Sequence, residues 1–264
     1  MSMTKGILPF MHSLHFTARV PVFDANVRVG DLYDEPAPWR DRAGLLAEMD
    51  RHGVGRALIY HAQAETLSPL EGNRYLQEWL GADGRLEPQW LVMPTDDSLA
   101  QIQALHRQGQ VRSVRLFDCK VVGLPFRPWA YGELLTWLSE QRIPLWIPLP
   151  DANLDELITT LQAYPNLVTV LVGAHYSHAL WVRPLLQTLP NSYLELSRYE
   201  PIGEFEALCD RFGAKRLIYG SWYWRYAMGP MLFYLHRTRL RDDELALICA
   251  GNLERILQGE GRHD

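Results

Sequence analysis

The chain has 264 residues, 47% of them apolar and 22% charged, with a formal net charge of −5. That balance suits a globular chain with a sizeable core, and it supplies no positive field to hold phosphodiesters, so nucleic acid is not an expected partner. No apolar run approaches the roughly 20 residues a membrane helix needs, and the stretch at 7–11, broken by Pro9 and ended by His12, is too short for a signal-peptide core.

In chain order, short apolar runs alternate with longer amphipathic ones. A first strand is predicted at 20–27, followed by a helix at 41–52 carrying Leu45, Leu46 and Met49 and closed by Gly53. Strands at 56–60 and 89–93 follow, then a helix at 99–108 and a strand at 113–117. A helix at 129–141 presents Leu134, Leu135, Trp137 and Leu138 on one side. After a strand at 144–148, Leu154, Leu157, Ile158 and Leu161 fall at i, i+3, i+4 and i+7, with Asp151 or Asn153 able to cap that helix. Strands at 168–172, 192–196 and 216–219 complete the set, with helices at 203–212, closed by Gly213, and at 242–258.

Continuous Val/Ile/Leu runs suit strands covered on both faces, so the alternation predicts an α/β chain with a parallel sheet. Eight units in this length favour closure into a (β/α)8 TIM barrel, one domain over 1–264. No G-x-G-x-x-G follows the first strand and no G-x-x-x-x-G-K-[ST] occurs, which removes the usual nucleotide signatures. Cys119, Cys209 and Cys249 are scattered without a C-x-x-C pair, so neither a disulfide framework nor a structural zinc is expected. The expectation is reduced thiols in a cytoplasmic protein.

Five phrases, in order, resemble the amidohydrolase superfamily, in its amidohydrolase-related branch of small barrels. Val22-Phe23-Asp24-Ala25-Asn26-Val27-Arg28 looks like that family's opening strand, where an apolar pair, Asp and Ala precede His-x-His. Val114-Arg115-Leu116-Phe117 is similar to its fourth strand. Pro165-Asn166-Leu167 running through Gly173-Ala174 to His175 resembles the sixth. Tyr219-Gly220-Ser221-Trp222-Tyr223 stands where the family shows "fGSDyP", and Asn252-Leu253-Glu254-Arg255-Ile256-Leu257 matches its closing helix.

The resemblance implies a hydrolase or decarboxylase with one or two divalent metals at the C-terminal mouth, held by the first-strand His pair, a His after strand five, the strand-six His and the strand-eight Asp. Here Asn26 and Arg28 replace the His pair, Pro148 stands near the strand-five position, and Trp222 replaces the Asp. Asn is a poor zinc ligand and Arg has no lone pair to give. Only His175 remains of the implied set, and one imidazole does not hold zinc where three protein ligands are the norm. No metal and no cofactor are therefore expected.

What reaches a barrel mouth decides function. The candidate catalytic residues are His175 and His61, as proton carriers, and Arg28, a fixed cation in the metal's place that can clamp a carboxylate. Asn26, Arg115, Trp146, Glu195 and Trp222 are candidates for binding a small anionic molecule. Plainer readings stand beside these. Arg28 is either that clamp or half of a buried ion pair with Glu195 or Asp118; His175 is either a base or a hydrogen-bonded core imidazole; His61 is either a base or packing. Trp222, Tyr223 and Trp224 either hold a ligand, plug the mouth or form a subunit contact, and a homodimer is compatible with that. Cys119 beside Lys120 is a candidate low-pKa thiol. Two functions follow: a metal-independent hydrolase or lactonase for a small carboxylate-bearing substrate, or a catalytically inactive barrel that binds a ligand or serves as a scaffold.

Overall fold

In the computed structural model, residues 16–32, 35–39, 41–149 and 152–262 are described, the side chains of Lys120 and Val121 excepted. The apolar stretch at 7–11 with His12, and Asp151 as a helix cap, lie outside the described residues, as does the side chain of Lys120. Strands form where the apolar runs stand: β1 (Phe23–Val29), β2 (Arg56–His61), β3 (Leu86–Pro88), β4 (Trp90–Val92), β5 (Val114–Leu116), β6 (Leu145–Pro148), β7 (Thr169–Val172), β8 (Ser192–Glu195) and β9 (Leu217–Ile218). All neighbouring pairs are parallel, in the order β1-β2-β3 and β4-β5-β6-β7-β8-β9.

β3 and β4 are one barrel strand interrupted at Gln89, whose N–H still donates to Ile59 O across 2.8 Å. The last strand returns to the first. Ala25 N donates to Tyr219 O (3.1 Å), Arg28 N donates to Tyr223 O, and Val27 bridges Tyr223 in parallel. Eight strand positions thus close into the TIM barrel that the alternation predicts.

The helices between them are α1 (Arg42–His52), α2 (Ala62–Thr66), α3 (Pro69–Trp79), α4 (Asp96–Arg107), α5 (Pro128–Glu140), α6 (Leu154–Gln162), α7 (Ala179–Thr188), α8 (Glu204–Phe212), α9 (Gly229–Leu235), α10 (Asp242–Ala246) and α11 (Asn252–Leu257). Local chemistry sets their ends. Asp41 accepts from Gly44 N at the start of α1, and Gly53 stops it at a φ of 72°, a left-handed value that glycine takes without penalty. Asn153 caps α6 by accepting from Asp155 N and Glu156 N. The single final helix expected at 242–258 is instead α10 and α11 joined by a π-helical turn over Leu247–Gly251. Asn252, wholly buried, ties that segment to the barrel by donating to Ala214 O and Leu217 O at 2.8 Å each.

β1 carries a bulge between Asp24 and Val27. Bulges re-aim side chains at barrel rims, and here Asp24, Asn26 and Arg28 all make their contacts inside the barrel.

Among the described residues no helix is long and apolar enough to cross a membrane. Cys119, Cys209 and Cys249 are free and buried. Burial pushes the Cys119 thiol above its ordinary pKa, which overturns the low-pKa reading.

Candidate active site

An open cavity of about 560 Å³ sits at the C-terminal ends of the strands. Arg28, Glu65, Asp118, His175, Arg198, Trp222, Arg225 and Tyr226 supply its polar and aromatic wall, with Phe117 and Pro148 among the apolar part.

At its floor Arg28, 5% exposed, meets the carboxylate of Glu65. Its Nε donates to Glu65 Oε2 at 2.7 Å and its Nη2 donates to the same oxygen. Arg115, from β5 and wholly buried, donates from Nη2 to the other oxygen, Oε1, at 3.3 Å and from Nη1 to Asn26 Oδ1 at 3.3 Å. Tyr60 OH lies 3.5 Å from both Glu65 oxygens, and its ring takes the Arg115 guanidinium at 4.3 Å. Burial works against the Arg28 charge, yet Tyr60 and Glu65 beside it raise its pKa above the usual arginine value. The carboxylate partner of Arg28 is therefore Glu65, on α2, and not Glu195 or Asp118.

Beneath this floor lies a second acid network. Asn26 Nδ2 donates to Glu195 Oε2 (3.4 Å), and Ser197 donates from N to Oε1 (3.0 Å) and from Oγ to Oε2 (2.8 Å). Asp24 Oδ1 accepts from Asn26 N (3.0 Å) and Ser221 N (2.9 Å), while its Oδ2 is buried without a partner. Burial, above all, pushes both acids up to about 7; for Glu195 the Asp24 charge adds to it. Gly220 makes room here, since a Cβ at that position would lie 2.0 Å from Glu195 Oε1.

The candidates separate by these contacts. Arg28, His175 and Trp222 line the cavity, whereas Asn26, Arg115 and Glu195 are buried under it. Trp146 is away from the cavity wall, wholly buried in a cluster with Leu58, Val170, Tyr193 and Ile218. His61 lies elsewhere. In the β1–β2 register Arg28 pairs with Tyr60 and Val29 with His61, and paired residues share a face, so Tyr60 turns inward and His61 outward. His61 lines a separate cavity with Trp39, Tyr75 and Trp79, its Nδ1 accepting from Gln63 N at the start of α2. Burial pushes its pKa down to about 4.

His175 is half-buried on the cavity wall, with Nδ1 at 3.1 Å from Ser177 Oγ and 3.5 Å from the Ser177 backbone N, and its own backbone N–H donates to His178 Nδ1 at 3.0 Å. Trp222 adopts a φ of 53°, uncommon for a bulky residue, and Arg225 stacks over its ring at 4.9 Å. Arg198 stacks on Tyr226 at 4.3 Å and donates from Nη1 to its OH. Sequence reasoning misses Glu65, Tyr60, Arg198 and Arg225. For Tyr60 the signal is strand parity; for Glu65 it is a carboxylate one helical turn past the mouth end of β2.

The resemblance implies a divalent metal at this mouth, and the donors do not fit one. Among the described residues no group of three or more His, Cys, Asp or Glu side chains is placed to hold a metal ion. At the His-x-His positions stand an amide bound to Glu195 and Arg115 and a guanidinium engaged with Glu65.

Solved structures share the fold at low identity. A TIM-barrel protein from Bordetella bronchiseptica superposes with a TM-score of 0.71 at 18% identity, covering 92% of this chain and 100% of its own. The 5-carboxyvanillate decarboxylase of Sphingomonas paucimobilis gives 0.70 at 15%, covering 90% and 99%. A 2-pyrone-4,6-dicarboxylic acid hydrolase from Pseudomonas putida, so described provisionally, gives 0.64 at 19%, covering 94% and 99%. A search of the curated proteins finds no match. The amidohydrolase family model matches residues 18–258, and with the barrel and the ordered sequence phrases it shows that this chain belongs to the amidohydrolase family.

Proposed function

We propose that the mouth binds a small carboxylate-bearing molecule and acts on it by metal-independent hydrolysis or lactone opening, with guanidinium charge where the family places a metal. The observation that carries this is the charge of the wall. Arg28, Arg198 and Arg225 face one cavity with Glu65 and Asp118, and Arg115 approaches it from below. Guanidinium forks match carboxylates in geometry and charge. The carboxylate substrates named for the structural neighbours, a carboxyvanillate and a pyrone dicarboxylate, support the same class.

In this reading His175 carries the proton. In the tautomer that gives its Nδ1–H to Ser177 Oγ, at 3.1 Å, Nε2 keeps a lone pair for the cavity. Nε2 takes a proton from water as the water oxygen bonds to the ester or lactone carbonyl carbon, and the oxyanion formed lies in the field of Arg28 and Arg198. The carbon–oxygen ester bond then breaks and the imidazolium returns its proton to the leaving oxygen.

Binding without turnover is the second reading, and one observation favours it: the described contacts of His175 include a hydroxyl and no carboxylate to stabilise an imidazolium. Two assays separate the readings. Arg198→Met is expected to weaken benzoate binding by about tenfold in calorimetry; unchanged affinity removes the anion-binding mouth. Against a panel of aryl esters and lactones, His175→Asn is expected to abolish turnover while leaving benzoate affinity in place, and a wild type inert to the whole panel leaves ligand binding as the function.

A further inference from the structure

The Arg28–Glu65–Arg115 cluster has the form of a carboxylate recognition site that already holds a carboxylate. The two guanidiniums come from barrel strands, β1 and β5, and are 5% and 0% exposed. Their acid comes from α2, a five-residue helix followed by Leu67, which is 64% exposed. Both Glu65 oxygens are engaged, one by two donors of Arg28 and one by Arg115, with Tyr60 OH near both. Glu65, Arg28 and the neighbouring Thr66 form part of the cavity wall, so this carboxylate borders the open mouth.

Two further facts make the site an anion acceptor. Arg115 Nε is buried with no hydrogen-bond partner, so one guanidinium still has an N–H to give. Arg28 and Arg115 hydrogen-bond a single carboxylate between them, Glu65, and among the described residues the next acid below, Glu195, accepts from Ser197 and Asn26 and from neither guanidinium.

We propose that Glu65 is a built-in occupant of an anion site formed by Arg28 and Arg115, and that a small carboxylate entering from the mouth binds there by displacing it. The strand-borne guanidiniums stay, and the acid on the short helix swings out. Glu65 then sets specificity: only a ligand whose carboxylate engages both arginines better than Glu65 does gains the site, while neutral molecules and weakly pairing anions are excluded. This rests on reading the mouth as a carboxylate site.

The test compares wild type with Glu65→Ala and Glu65→Gln. Thermal unfolding is followed in sodium acetate and in sodium chloride of equal ionic strength, and benzoate affinity is measured by calorimetry. Removing the resident carboxylate leaves two buried guanidiniums in need of an anion. Acetate is therefore expected to raise the unfolding temperature of both variants well beyond chloride, with no such difference in wild type, and benzoate is expected to bind both variants about tenfold more tightly than wild type. Glu65→Gln keeps the shape and removes the charge, so it carries the test if Glu65→Ala does not fold. No acetate effect beyond chloride, with benzoate affinity unchanged or weaker, overturns the proposal. If Arg198→Met leaves benzoate affinity intact while acetate still rescues the Glu65 variants, the outer mouth reading fails and the Arg28–Arg115 site stands.

Discussion

Replacing Gly220 by Ala tests the acid network under the mouth with a single methyl group. The added Cβ would lie 2.0 Å from Glu195 Oε1, 2.8 Å from its Cδ and 3.0 Å from Asn26 Cβ. Glu195 is wholly buried and held by Ser197 and Asn26, so its carboxyl group has to retreat from partners at 2.8–3.4 Å. Overpacking a well-filled core costs about 1–3 kcal/mol, and a buried polar group that loses its partner costs about 1–3 kcal/mol more. The sum, about 2–6 kcal/mol, is to be read from urea unfolding. Gly251→Ala is the control: its Cβ meets nothing closer than Leu247 Cδ2 at 3.4 Å, and an alanine inside a helical segment is neutral or stabilising by up to about 1 kcal/mol. In a Glu195→Ala background the clash with the carboxyl group is gone and only the 3.0 Å approach to Asn26 Cβ remains, so Gly220→Ala is expected to cost about 1 kcal/mol or less. A Gly220→Ala loss below about 1 kcal/mol in the wild-type background, with no coupling to Glu195, refutes this account of the network.

The same acids make stability fall as pH rises. Asp24 and Glu195 are pushed from 3.8 and 4.5 up to about 7 in the folded chain, so the folded state holds protons that the unfolded state has released. Their contribution is fully present below about 4 and is lost as pH rises through about 7, on the order of 3 kcal/mol for Glu195 alone. Glu195→Gln is expected to flatten that slope in unfolding measured from pH 4.5 to 8; a variant as steep as wild type contradicts the assignment. Asn73 bonds both backbone groups of Leu91, donating to its O at 2.7 Å and accepting from its N at 2.9 Å. Asn73→Ala orphans both in the interrupted strand and should cost about 2–4 kcal/mol in the same assay; a loss under about 0.5 kcal/mol rules this role out. His61, pushed down to about 4, is expected to stay neutral in an NMR titration down to pH 5, and a midpoint near 6.5 would contradict its buried setting.

Much of the barrel is legible in the sequence because each unit announces itself locally. The run at 144–148 contains β6, the i, i+3, i+4, i+7 pattern from Leu154 contains α6, and Gly53 ends α1 where its left-handed φ requires. What escapes is non-local. The break at Gln89 depends on how two strands pair, and the division of 242–258 by a π-helical turn arises in a segment that Asn252 anchors to the barrel. The site follows the same division. Arg28 and Trp222 lie at the mouth because strand ends place them there, and their positions match family phrases. Glu65 matches no phrase and sits on a five-residue helix, so its pairing with two arginines, 37 and 50 residues away, shows only in three dimensions. His61 misleads because sitting at a strand end says nothing of face; the register with Val29 decides it.

The proposed function has guanidiniums, and not a divalent ion, receive a carboxylate in this barrel. Calorimetric titration with benzoate, before and after exhaustive treatment with chelator, tests it most directly. The same affinity is expected in both states, with no gain on adding zinc. Affinity lost on chelation and restored by one equivalent of zinc would contradict it.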